Sequence, residues 1–150
     1  MKRVMMMLCF MSSLLFMQGC GVPAGEKNAA KEDPKKAVQF NYEHVLGLPM
    51  RIVYAYEVTN LSKDKELTDV YGMLVKKNSF GGTFEEQISF SNIPAGKTKF
   101  FAIEKAENGL SKHYEGDSLD DILKQMELDP EQYYFRTTET TFKVKEASFK

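Results

Sequence analysis

Arg51-Ile52-Val53-Tyr54-Ala55-Tyr56-Glu57-Val58-Thr59 is the stretch on which the fold turns. Ile52, Tyr54, Tyr56 and Val58 recur at every second position, so an extended backbone places all four on one face. They are β-branched or aromatic, the side chains that suit a pleated, half-buried surface. A strand is therefore expected over 51–59, closed by the polar turn Asn60-Leu61-Ser62-Lys63-Asp64.

The same period extends outward in both directions. Upstream, Val38-Gln39-Phe40-Asn41-Tyr42 alternates as a first strand, and His44 to Pro49 reads as a turn-like interruption. Downstream, Leu67 to Lys77 has Val70, Gly72 and Leu74 on one face and Tyr71, Met73 and Val75 on the other. Asn78 and Gly81-Gly82 close it. Phe84, Glu86, Ile88 and Phe90 alternate with Glu85, Gln87 and Ser89, a strand with one wet face. In Ile93-Pro94-Ala95-Gly96-Lys97, Pro94 presets φ and Gly96 accepts a positive φ, so a tight turn is expected there. Thr98 to Lys105 alternates again, and Asn108-Gly109 ends it.

One helix interrupts the strands. Ser118 is an N-cap residue, Asp120 and Asp121 fall in the first turn where the dipole favours carboxylates, and Leu119, Ile122, Leu123 and Met126 form one stripe. Tyr133 to Lys145 returns to strand character, but Phe135 is out of phase with Phe142 and Val144. A bulge or bend near Thr138 to Thr140 accounts for the change. Six or seven short strands with one late helix predict a mainly β domain, an antiparallel sandwich. The alternative is an α+β fold with one helix packed on an antiparallel sheet.

Three segments, Val58-Thr59-Asn60-Leu61-Ser62, Leu67-Thr68-Asp69-Val70-Tyr71 and Ile93-Pro94-Ala95-Gly96-Lys97-Thr98, carry a resemblance. Over about residues 50–105 the chain resembles the small immunoglobulin-like modules of bacterial secreted lipoproteins. That likeness implies an immunoglobulin-like sandwich.

Ahead of the domain, Lys2 and Arg3 precede an apolar run from Val4 to Met17 broken only by Ser12 and Ser13. A charged start and a short apolar run are the pattern of a secretory signal peptide, too short for the roughly 20 apolar residues of a membrane span. The run ends in Met17-Gln18-Gly19-Cys20, and here the chain resembles bacterial lipoprotein signal peptides. The resemblance implies diacylglycerol on the Cys20 thiol and cleavage between Gly19 and Cys20. Two or three acyl chains on one residue would anchor firmly, each buried CH₂ contributing about 0.8 kcal/mol. Residues 1–19 are then the signal peptide, 20–37 the lipidated cysteine and a flexible tether of small residues, prolines and mixed charge, and 38–150 a single β-rich domain.

Charge and composition bound the function. The leader holds two of the 20 basic residues and none of the 21 acidic ones, so the mature chain is weakly acidic. No long basic run exists to bind nucleic acid. Cys9 lies in the leader, leaving Cys20 alone, so neither an intrachain disulfide nor thiol catalysis is expected.

His44 and His113 are far apart and lack partners at ligand spacing, and surface or loop roles are expected for both. Glu115, Asp117, Asp120 and Asp121 form the one acidic cluster, a weak candidate for Ca²⁺ that lacks the usual loop spacing. Helix capping explains Asp120 and Asp121 without a metal. No cofactor and no catalytic residue is expected. Tyr54 and Tyr56 are expected in the core rather than on a binding surface. These observations point to a non-catalytic binding or accessory module, held at the membrane through Cys20, with a protein partner at the cell surface. The alternative is a small envelope ligand binder or enzyme built from scattered carboxylates and tyrosines.

Overall fold

The computed structural model describes residues 30–150; Gly19, Cys20, the leader and the tether as far as residue 29 lie outside the described residues. The compact unit runs from Glu32 to Lys150. Its elements are α1 (Pro34–Ala37), β1 (Val38–Leu48), β2 (Arg51–Asn60), β3 (Leu67–Lys77), β4 (Thr83–Ile93), β5 (Thr98–Ala106), β6 (Ser111–Gly116), α2 (Leu119–Gln125), β7 (Arg136–Thr138) and β8 (Thr141–Phe149). One sheet has the order β6-β5-β2-β1-β7 and the other β4-β3-β8, with every pairing antiparallel. The two sheets pack face to face as a β-sandwich.

The inner faces follow the expected alternation. Tyr56 and Val58 of β2 meet Leu67, Val70 and Leu74 of β3 and Ile88, Phe90 and Ile93 of β4, all buried. Phe90 stands at the centre of an aromatic group, 5.0 Å from the Phe101 ring, 5.4 Å from Phe142 and 6.0 Å from Tyr56. The outer face of the larger sheet is covered as well. Val53, Ala55 and Ala102 pack there against Ile122 and Leu123 of α2 and its C-cap residue Met126. Ser118 caps that helix, its Oγ accepting from the Asp121 amide at 3.1 Å.

Several elements differ from the expected ones for identifiable reasons. β1 continues to Leu48 rather than stopping at Tyr42. A bulge between Phe40 and Tyr42 shifts its phase, and Leu46 and Leu48 then point into the layer under α2. A strand apolar on both faces shows no simple alternation. His44 therefore lies in a strand and is buried, not in a surface loop. β6 is not among the expected strands because it is short and polar, with no residue buried. The phase change near Thr138 is a break: β7 pairs with β1 in one sheet, and the chain crosses to pair β8 with β3 in the other. Pro34 to Ala37, by composition the end of the tether, forms a single helical turn with Asp33 as N-cap, and Ala37 is buried in the core.

At one end of the sandwich the fully buried Asn60 joins the sheets. Its amide donates to the carbonyls of Lys65 and Ile93 at 2.8 and 2.9 Å, and its Oδ1 accepts from the Ser62 amide at 2.9 Å. The chain enters the domain at this same end, where the Leu61 amide donates to the Ala37 carbonyl at 2.7 Å. In the sheet interior, Gly72 is where β3 takes Phe142 onto its face. A Cβ there would run into the Phe142 ring and stand 2.6 Å from the Lys143 carbonyl oxygen. Gly72→Ala is expected to destabilise the domain by about 1–3 kcal/mol, read as a lower denaturation midpoint at unchanged slope.

Candidate functional site

The end opposite Asn60 is built differently. Here the inner faces carry charge: Glu43 from β1, Lys76 from β3, Glu86 from β4 and Lys105 from β5. Glu43 Oε1 lies against Lys76 Nζ, and its Oε2 accepts from Thr138 Oγ1 at 3.0 Å and Thr140 Oγ1 at 2.9 Å. Lys76 Nζ reaches Glu86 Oε2 at 3.2 Å, and Lys105 Nζ donates to Glu86 Oε1 at 2.6 Å. The Lys76 ammonium also sits 4.3 Å from the centre of the Tyr54 ring, a cation–π contact. Two carboxylates and two ammoniums thus alternate across the gap between the sheets. Glu43 and Lys76 are nearly buried, with side chains 5% and 11% exposed.

Burial pushes the Glu86 carboxyl up, but the hydrogen bond from Lys105 and the charge of Lys76 outweigh it and hold the group below the usual glutamate range. Tyr56, directly beneath, is fully buried and its hydroxyl has no hydrogen-bond partner among the described residues. Burial, with Glu86 and Glu43 close by, pushes its pKa far up. Beside the quartet a cleft of about 470 Å³ opens between β3, β4 and the β7–β8 crossing, lined by Glu43, Lys76, Thr83, Phe84, Thr138 and Thr140.

Three loops rise around this end, and each displays a large apolar side chain. The two-residue β1–β2 turn holds Met50 at φ 63, 71% exposed. Left-handed backbone is uncommon for a residue other than glycine, and Gly would relieve it. The β3–β4 loop is set by Asn78, whose Oδ1 accepts from the amides of Phe80 and Gly82, and it leaves Phe80 97% exposed. In the β5–β6 loop, Asn108 Oδ1 accepts from the Leu110 amide, and Leu110 is 67% exposed. The Glu107 amide donates to the Met50 carbonyl at 3.1 Å, tying two of the loops together. With Ile52 and Phe84, this end carries five of the eight exposed large apolar residues of the described chain.

The acidic cluster is elsewhere. Lys99 Nζ lies 2.9 Å from Asp117 and 4.0 Å from Glu115, while Asp120 and Asp121 occupy the first turn of α2. Among the described residues no group of three or more His, Cys, Asp or Glu is arranged to hold a metal ion. His44 bonds Glu57 Oε2 and Thr137 Oγ1, both at 3.1 Å, on the outer face of the larger sheet. On that face too, buried Glu104 accepts from Arg51 at 2.8 Å and Tyr114 at 2.7 Å, and burial with this hydrogen bond pushes the Tyr114 hydroxyl up to about 12. Sequence reasoning misses the ionic quartet, although a signal for it is present. Lys76, Glu86 and Lys105 each fall in phase with the inward-facing apolar residues of their strands.

No protein-family model, no curated protein and no solved structure matches this chain.

The quartet has two measurable consequences. Lys76→Met strands a buried carboxylate and is expected to cost about 3–5 kcal/mol. Adding Glu43→Gln should recover much of that loss, as measured by chemical denaturation of both variants. Because the folded pKa of Glu86 lies below its unfolded value, its stabilisation is complete above about pH 5 and is lost as the pH falls through the folded pKa. A Lys105→Met variant should show a shallower acid dependence of the thermal midpoint than the parent.

Proposed function

We propose that this chain is a lipid-anchored, extracytoplasmic binding module of the cell surface, with an immunoglobulin-like sandwich presenting a recognition face on its loop tips. The observation that carries this reading is the placement of Met50, Ile52, Phe80, Phe84 and Leu110 at the end away from α1, where the chain enters the domain. Clustered exposed apolar side chains mark interaction sites, and Met and Phe are enriched in interface cores. The strained Met50 supports the same reading, since a backbone outlier at an exposed tip is retained where its side chain is used. An order of β1-β2-β5 in one sheet, with β3 central in the other, supports the immunoglobulin-like comparison. A non-catalytic role is favoured because Glu43 and Glu86 are each committed to lysine ammoniums and neither is left as an acid or base.

The test uses the full-length protein in its own membrane. Intact mass should show a chain beginning at Cys20 with added lipid, and Cys20→Ala should remain unprocessed. A photoreactive phenylalanine analogue at position 80 should give a discrete protein adduct, and the same analogue at position 61, at the opposite end, should give none. An unlipidated, released chain would overturn the anchor. Equal or absent adducts at both positions would overturn the recognition face.

A further inference from the structure

The two sheets are of unequal width, and the mismatch falls on one side. Phe90 on β4 packs against Phe101 on β5 at 5.0 Å, and Lys105 on β5 binds Glu86 on β4 at 2.6 Å, so β4 lies beneath β5. β6 is the next strand out in the larger sheet, and no described strand lies opposite it. In its place is a cleft of about 580 Å³ with Tyr56, Phe90 and Phe101 at the back, β4 along one wall and His113 and Glu115 of β6 above. His113 pairs with Ile103 and Glu115 with Phe101, so both point to the inner side of the sheet. The fully buried Tyr56, whose hydroxyl lacks a partner among the described residues, lines this cleft. A buried unsatisfied group calls for an explanation.

The wall formed by β4 is unusual among the edges of this domain. Strand edges are normally blunted by shortness, lysine, proline or bulges. β7 has three residues, β6 has six and carries Lys112, and β8 carries Lys143 and Lys145 and breaks register twice against β3. β4 keeps an unbroken register against β3 from Thr83 to Ser91, with neither lysine nor proline, and only Asn92 near its end, at φ 55, leaves the extended conformation.

We propose that the outer edge of β4 accepts an extended strand from a partner protein, which adds to the smaller sheet beneath β6 and fills the cleft. A second copy of this chain does not fit. Pairing two β4 strands would set them about 4.8 Å apart, and the overhanging β6 strands of both copies would have to share that width. A single added strand has the room. The charges say what it carries. Glu115 shares Lys99 with Asp117, and His113 is the other β6 side chain over the cleft, so the inward positions favour uncharged side chains, some of them able to hydrogen-bond. Glu85 on the outer face is half exposed, with Lys143 at 3.9 Å, and favours a lysine or arginine directly opposite. This site is separate from the loop tips and does not depend on them.

The experiment is a titration of the isotope-labelled full-length protein with a synthetic octapeptide that alternates threonine and valine and carries one lysine, followed by amide exchange. At saturation every second amide across 84–90 should exchange at least tenfold more slowly, while the intervening amides, already bonded to β3, stay unchanged. Glu85→Lys should weaken binding about three- to tenfold, and a peptide with glutamate in place of its lysine should restore it. Protection without this alternation, shifts confined to the loop tips, amides already protected before peptide is added, or a concentration-dependent dimer would each overturn the proposal.

Discussion

An ammonium and a carboxylate are held between two β-sheets, and the rest of this domain is arranged to make that possible. Glu43 and Lys76 come from different sheets and are almost entirely withdrawn from water. Each alone would carry a desolvation penalty of several kcal/mol. The threonines on the β7–β8 crossing, Glu86, Lys105 and the Tyr54 ring supply the remaining partners. The sandwich thus has a dry end and a charged end. At the dry end Asn60 and the aliphatic core join the sheets. At the charged end the Glu43–Lys76 and Lys105–Glu86 ion pairs join the sheets.

That arrangement shapes what the domain can present. An end sealed by charge needs no apolar lid, so the three loops above it are free to expose Met50, Phe80 and Leu110. Asn78 and Asn108 hold two of those loops by side-chain acceptance of backbone amides, which restricts the conformations open to the loops. The helix side of the larger sheet is built differently. α2 and the Arg51–Glu104–Tyr114 group cover its outer face, so the exposed apolar side chains gather at the loop tips and the open strand edge is that of β4.

Sequence and structure agree most where periodicity is local. The inner row of β2, the Val70–Leu74 face, the Pro94–Gly96 turn with Gly96 at φ 65, and the Ser118 cap depend on neighbours a few residues apart. Disagreement appears where a residue answers to a distant strand. β1 runs on to Leu48, well past the Tyr42 that alternation alone predicts, because Leu46 is buried and Leu48 partly buried against a helix much later in the chain. His44 is buried between neighbouring strands, bonded to Glu57 of β2 and Thr137 of β7.

The amino-acid order by itself determined most of the strands, the late helix and the sandwich class, because period-two burial and capping are decided within a few residues of chain. Only the tertiary structure decided that Glu43, Lys76, Glu86 and Lys105 meet, that three exposed loops share one end, and that β4 is left with an open edge beneath β6. Those facts depend on which strands become neighbours and on which strand crosses between sheets. Local periodicity shows which face a residue takes, as for Lys76, Glu86 and Lys105, but not which strand lies opposite it.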